Sequence, residues 1–295
     1  MEIQPKVSVL CFGEVLYDMF PQGKQPGGAP MNVAVHLANY GVKSAVLSCV
    51  GRDDLGEELL AFLNSRNVEI NNVQTSDKYP TGTVTIDIQD ESDPKYEIVE
   101  DVAWDHISGD VALDDAPGFI VHGSLACRGD NNLEALKSLK SKYPSSKVVF
   151  DMNLRAPYYS KALIKDLLGD AHILKINEDE FQLLCQWGSY SDQDESDLLK
   201  RLKEEYRNLE TIILTKGSEG ATVLQGSEII TEKSIKIEVV NTVGAGDSFL
   251  GAFLSELRKG PARALKLAIA TGAYVATQPG ATPKYSSADI WKLWE

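Results

Sequence analysis

The stretch Asn241-Thr242-Val243-Gly244-Ala245-Gly246-Asp247-Ser248-Phe249 combines residue types that could do chemistry. Small residues lead into a helical pattern, with Phe249, Phe253 and Leu257 at i, i+4 and i+8, and an aspartate falls in its first turn. Glycines let a backbone approach an anion closely. A helix start adds N–H groups without intrahelical acceptors and the positive end of the dipole. An aspartate there could accept a proton from a group held against those amides. The same residues read equally well as a tight turn followed by a carboxylate that complements the helix dipole. Neither GxxxxGK[ST] nor GxGxxG occurs in the chain, which excludes the two familiar glycine-rich phosphate loops.

Three more polar clusters each follow an apolar, β-rich run. The run from Lys147 leads into Asp151-Met152-Asn153-Leu154-Arg155, and the run from Ala171 into Asn177-Glu178-Asp179-Glu180. A third, from Thr211, leads into Thr215-Lys216-Gly217-Ser218-Glu219-Gly220. In open parallel sheets ligands bind beyond the carboxyl ends of the strands, so these clusters point to one rim. Polar residues ordinarily follow strands, so each cluster alone is also compatible with a purely structural role.

The elements that must position them alternate between short strands and helices, the layout of an α/β protein whose mostly parallel sheet is covered on both faces. Strands are predicted over 7–12, 44–50, 119–122, 147–151, 171–176, 211–215, 221–224 and 228–231. Helices are predicted over 31–40, 55–65, 132–143, 178–186, 194–206, 247–257, 262–276 and 288–294, the second opening on Asp54 and Glu57 at capping-box spacing. Residues 83–89 alternate strictly and are followed by a turn over 90–95 and a second strand over 96–99, which predicts a half-exposed antiparallel hairpin. With a strand over 15–20 it would form a small sheet off the main core. A single domain over 1–295 is therefore expected, with a β lid from about 14–22 and 79–102; lids exclude water from reactions that water would spoil.

With 295 residues, 43% hydrophobic and 24% charged, the chain can bury a large core. Its 43 acidic against 29 basic residues leave a net charge of −14, which argues against nucleic acid or an anionic membrane as partner. Cys11, Cys49, Cys127 and Cys185 form no CxxC pair and read as free thiols of a reducing compartment. The four histidines show no zinc spacing. The first apolar run is too short for a signal or membrane segment, so a cytoplasmic protein is expected.

Two motifs make the chain resemble the ribokinase-like (phosphofructokinase-B type) carbohydrate kinases, and the resemblance covers nearly its whole length. Gly27-Gly28-Ala29-Pro30-Met31-Asn32-Val33-Ala34, with Leu37-Ala38 and Gly41, is similar to the family's sugar-binding GG…N.A..LA..G pattern. Asn241-Thr242-Val243-Gly244-Ala245-Gly246-Asp247 is similar to its [DN]T.GAGD pattern. Gly51-Arg52-Asp53-Asp54-Leu55-Gly56 and the three polar clusters recur in the family's order. The resemblance implies a three-layer α/β/α sandwich with a small β lid, and transfer of the γ-phosphoryl of ATP to a sugar hydroxyl. Asp247 would be the general base, and the amides of Gly244, Ala245 and Gly246 an anion hole. Arg155 would pair with a phosphate. Asn177 and Glu180 would position Mg²⁺ through water. Asn177, Lys216, Gly217 and Gly220 would serve the nucleotide, with the helix near 268–277 beside adenine.

For the sugar, the resemblance implies Asp18, Gly27, Gly28 and Asn32, with Trp104 and Ser124 lining the pocket. Gly13-Glu14-Val15-Leu16-Tyr17-Asp18 followed by Pro26-Gly27-Gly28-Ala29-Pro30 is most similar to bacterial fructokinases, which implies phosphorylation of fructose at its 6-hydroxyl. Ribokinase, 2-keto-3-deoxygluconate kinase and nucleoside kinase are the alternatives within the class, and a non-catalytic sugar sensor the alternative outside it. A nicotinamide-dependent oxidoreductase is disfavoured by the missing GxGxxG. Many relatives bind K⁺ through an aspartate where this chain has Asn241, and some carry threonine at Val243, so K⁺ activation is left open. The acidic stretch 87–101 suits a neutral sugar better than a sugar phosphate. Val84, Ile86 and Ile88 suit a homodimer contact through the lid. Sedimentation at micromolar concentration should then give twice the 32.3 kDa of one chain, and a mass of 32.3 kDa would refute the dimer.

Overall fold

Val9 to Phe12 is apolar without interruption, as a strand covered on both faces must be, and forms the inaccessible β1 (Val9–Phe12). The computed structural model describes residues 8–87, 95–111, 113–190 and 194–294. They divide into two compact units, one reaching to Gly118 and including Ala126–Ser146, the other made of Phe119–Leu125 and the chain from Lys147.

The first unit follows β1 with β2 (Leu16–Phe20), β3 (Gly23–Gly27), α1 (Ala29–Asn39), β4 (Ser44–Gly51), α2 (Asp54–Ser65), β5 (Val73–Ser76), β6 (Gly82–Asp87) and β7 (Lys95–Ile98). The helix α3 (Asp130–Lys142) belongs to the same unit. β4 pairs in parallel with β1 (Val9↔Ser44) and with β5 (Ser48↔Val73). Pro30 in the first turn of α1 needs no N–H there. α2 is capped by Asp53, one residue before the expected Asp54. Asp53 has the extended backbone that a cap requires, and its carboxylate accepts the Gly56 N–H at 2.8 Å.

A second sheet has the order β3-β2-β6-β7. β2 runs antiparallel to β3 and parallel to β6, with Leu16 opposite Gly82 and Asp18 opposite Val84. β6 and β7 form the expected antiparallel hairpin, in which Val84 and Ile98 are buried opposite one another while Thr85 and Glu97 are exposed. The expected turn from 90, together with Ile88, lies outside the described residues. The strand β3 is a finding, since Gly23, Pro26 and Gly27 read as breakers.

The second unit contains β8 (Phe119–His122), β9 (Lys147–Asp151), α4 (Lys161–Gly169), β10 (Ile173–Asn177), α5 (Glu178–Gly188), α6 (Glu195–Glu205) and β11 (Thr211–Thr215). It continues with β12 (Ala221–Gln225), β13 (Glu228–Glu232), α7 (Ala245–Glu256), α8 (Pro261–Ala276) and α9 (Ser287–Trp291). Its strand order is β13-β12-β11-β10-β9-β8, parallel from β8 to β11 and antiparallel beyond. The parallel run brings the carboxyl ends of β9, β10 and β11 to one edge. α7 packs closely on α8, where Gly272 leaves room for the Ala245 carbonyl: a Cβ there would lie 3.2 Å from that oxygen.

All four cysteines are free thiols, and burial pushes Cys49 up to about 11. Among the described residues no helix is long and apolar enough to cross a membrane. One packing contact is open to a direct test. A Cβ on Gly82 would stand 2.2 Å from Nε1 of the fully buried Trp104. Gly82→Ala should therefore lower stability by about 1–3 kcal/mol in denaturant titration; an unchanged midpoint would mean that the indole is free to shift.

Candidate active site

The start of α7 is shaped by one glycine. Gly244 caps the helix at φ 80°, a conformation that disfavours a Cβ, and any Cβ would come within 2.6 Å of Ala281. Its carbonyl accepts the Ser248 N–H at 2.8 Å, closing the first turn, while the Ala245 N–H donates to the Thr242 carbonyl at 3.2 Å. Of the three amides expected as donors, that of Ala245 is thus engaged within the turn. The preceding loop is held by Asn241, whose Oδ1 accepts the Val243 N–H at 2.9 Å and whose own N–H donates to Ala276. Carboxamide and carboxylate can both make that turn.

Behind Gly246 lies a charge that the motifs do not show. Lys175 is buried in the middle of β10, with Nζ 2.8 and 2.9 Å from the two carboxylate oxygens of Asp151, at the end of β9. That Nζ lies 3.3 Å from where a Cβ on Gly246 would be. Burial alone would lower the Lys175 pKa, but the Asp151 carboxylate, helped by Glu180 and Asp247, holds it above the ordinary lysine range. A lysine inside the apolar run Ile173-Leu174-Lys175-Ile176 was the available signal, because a buried charge needs a partner.

Asn177 and Glu180 meet as a capping box at the start of α5. Asn177 Oδ1 accepts the Glu180 N–H at 2.9 Å, Glu180 Oε2 accepts the Asn177 N–H at 3.0 Å, and Glu180 Oε1 accepts the Leu154 N–H at 2.8 Å. Burial raises the Glu180 pKa, against the lowering effect of those amides. Among the described residues no cluster of three or more His, Cys, Asp or Glu could hold a metal directly. Carboxylate oxygens that each accept one amide still have lone pairs for water. The residues therefore fit a Mg²⁺ held mainly by phosphates and water, with Glu180 and Asn177 outside its first shell.

The rim residues enclose a cavity of about 780 Å³, large enough for a nucleotide. Asn177, Thr215, Gly217, Gly220, Thr242 and Gly246 supply its polar border, while Ile235, Ile237, Ile269 and Ala276 supply apolar walls. The last two belong to α8, the helix expected beside a base. Gly220 has φ 103°, and a Cβ there would meet the Glu232 carbonyl at 2.0 Å. Lys216 does not line this space: its ammonium binds Glu195 at 3.1 Å, and Thr222 donates to the same carboxylate. Arg155 is exposed and donates to the Leu154 carbonyl. Ser124 is buried.

The first unit gathers most of the other expected residues. The Asp18 carboxylate lies against Gly27, where a Cβ would be 2.4 Å from Oδ2. Gly28, at φ 112°, presses on the Glu14 carbonyl, where a Cβ would be 2.3 Å away. Asn32 is buried in the first turn of α1, its N–H donating to Gly28 O, and the buried Glu14 carboxylate accepts the Ala29 N–H at 3.3 Å. Trp104 is wholly buried and carries the Arg128 guanidinium over its ring at 4.1 Å, so its indole packs the core of this unit and offers no open face.

The description "pfkB family carbohydrate kinase" matches residues 2–288. A probable fructokinase of Arabidopsis thaliana, fructokinase-7, is 28% identical over 95% of this chain and 90% of its own length. An ATP-dependent 6-phosphofructokinase of Thermoanaerobacterium thermosaccharolyticum is 31% identical over 94% of this chain and 90% of its own. Among solved structures, a fructokinase double mutant of Vibrio cholerae O395 with fructose, ADP and potassium ion bound superposes with a TM-score of 0.85. It is 23% identical and covers 98% of this chain and 99% of its own.

The Lys175–Asp151 pair gives a stability test. Lys175→Met leaves a buried carboxylate uncompensated and should cost about 3–5 kcal/mol, while adding Asp151→Asn should recover most of it. A single variant as stable as wild type in denaturant titration would contradict that pairing.

Proposed function

Since the chain belongs to the pfkB family of carbohydrate kinases, has the ribokinase-like α/β fold and is an ATP-dependent kinase, we propose that it phosphorylates fructose at the 6-hydroxyl, with Asp247 as general base. The observation that carries this reading is the start of α7, where Ala245 and Gly246 line the nucleotide-sized cavity and Asp247 follows in the first turn. The acceptor hydroxyl oxygen attacks the γ-phosphorus and passes its proton to the Asp247 carboxylate. The bond from the γ-phosphorus to the bridging oxygen breaks, and ADP leaves with that oxygen. Developing charge on the transferred group meets the N–H groups of Gly244 and Gly246 and the positive end of α7, which are fixed in place beforehand. Lys175, matched by Asp151, lies beneath Gly246 and fills the space under the turn. Mg²⁺, bound with ATP, supplies neutralisation of the phosphate charge, and Asn177 and Glu180 would hold its water shell.

An unphosphorylated sugar is supported by how the first unit uses its cations. Lys24, one strand from Asp18, pairs with Glu58 at 2.5 Å; Arg52 pairs with Asp77; Arg128 pairs with Asp105 at 2.6 Å. Each is already matched by a carboxylate, a poor arrangement for a second phosphate. The 31% identity to a 6-phosphofructokinase makes fructose 6-phosphate the competing substrate.

Coupled ADP release with Mg²⁺-ATP, run against fructose, ribose, 2-keto-3-deoxygluconate, adenosine and fructose 6-phosphate, should give the highest kcat/KM with fructose. A higher value for fructose 6-phosphate, or no turnover of fructose by folded protein, would overturn the proposal. Repeating the assay with K⁺ should change the rate little, because Asn241 brings no charge to that loop.

A further inference from the structure

Gly51-Arg52-Asp53-Asp54-Leu55-Gly56 has no part in the mechanism above, yet its geometry is tightly specified. Asp53 Oδ1 accepts the Gly56 N–H at 2.8 Å and the Thr81 hydroxyl at 2.6 Å, and Oδ2 accepts the Thr81 N–H at 2.8 Å. Thr81 Oγ1 in turn accepts the Gly51 N–H at 2.9 Å. A Cβ on Gly51 would lie 2.3 Å from Asp53 Oδ2, and one on Gly56 would lie 2.2 Å from the Gly51 carbonyl. Both glycines are therefore needed for the carboxylate to reach Thr81. Burial works to raise the Asp53 pKa, but the bonds from Thr81 and Gly56 outweigh it and hold the group below the usual aspartate range. One side chain thus ties the end of β4 and the start of α2 to the residue just before β6.

What it ties down is the root of the small sheet. β6 begins at Gly82, against Trp104, and runs parallel to β2, so that Asp18 lies opposite Val84, three residues from the clamp. The other root of the hairpin is held as well. The Val99 carbonyl accepts Arg128 Nη2 at 2.8 Å, and Arg128 is fixed by Asp105 and by the face of Trp104. We propose that Asp53 is a positioning residue for sugar binding: by clamping Thr81 it sets where β6 starts, and through the β2–β6 pairing it fixes the strand that presents Asp18. This inference rests on the sugar-kinase reading, in which Asp18 contacts the sugar.

The test compares wild type with Asp53→Asn, Thr81→Val and Thr81→Ser, using calorimetric binding of fructose and of ATP, steady-state KM for both, and hydrogen exchange of the β6 and β10 amides. Asp53→Asn replaces an acceptor with a donor, and Thr81→Val removes both hydroxyl links, to Asp53 and to the Gly51 N–H. Each should raise the sugar KM and weaken sugar binding roughly tenfold, the size expected for one or two lost charge-assisted bonds. ATP binding should stay unchanged, and exchange should speed up in β6 but not in β10. Thr81→Ser, which keeps both donors, should behave as wild type. Leu139→Ala, a buried substitution in α3, controls for lost stability in the same unit and should leave the sugar KM unchanged. Equal sugar affinity in wild type and Asp53→Asn, or unaltered β6 exchange, would overturn the inference alone. A wild-type chain that binds none of the panel sugars would overturn the kinase reading and this inference with it.

Discussion

The close approach of Gly244 to Ala281 is the constraint on which the rest of the second unit's site depends. Only a residue without a Cβ fits there at positive φ, and that turn starts α7 where Ala245 and Gly246 line the cavity. Asp247 inherits its position from the same turn, one helical residue beyond Gly246. The loop before it is fixed independently by Asn241 and by the backbone bonds of Val240 and Asn241 to Ala276. Dipoles held this way need no reorganisation when charge develops, which is the main requirement of phosphoryl transfer.

Electrostatics supply the second constraint. A chain with net charge −14 repels a polyanion overall, so local groups rather than net charge must receive one. Lys175 lies beneath the glycine turn, out of solvent and matched by Asp151. Glu180 is close enough to feel both, yet its two oxygens are occupied by amides of the α5 start and of Leu154. The Asn177–Glu180 spacing therefore has two consequences at once. It caps a helix, and it keeps a buried carboxylate hydrogen-bonded on both oxygens.

The helix start at Asp247 and the polar ends of the parallel strands were legible because glycines, aspartate and apolar periodicity coincide there. The alternation of Val84 and Thr85 in β6 marked the hairpin for the same reason. Three features were not legible. β3 is built from Gly23, Lys24, Gln25, Pro26 and Gly27, whose local preferences oppose a strand, and only pairing with β2 makes it one. The Lys175–Asp151 pair joins positions 24 residues apart, and Asp53–Thr81 joins positions 28 apart, contacts that no spacing rule encodes. Lys216 went the other way: the family resemblance implied a nucleotide contact, but Glu195 on α6 holds its ammonium. Local rules locate helix starts and loops, while long-range ion pairs decide where a given charge points.

Proton transfer to Asp247 is the central step of the proposed reaction. Single-turnover phosphoryl transfer in Asp247→Asn, measured beside ATP affinity, tests it most directly. The carboxamide keeps the size of the side chain but cannot take the proton. The rate should fall by roughly 10² to 10⁴ while ATP binds as in wild type. A transfer rate close to that of wild type would contradict the base role, and a parallel loss of ATP affinity would mean that Asp247 serves binding instead.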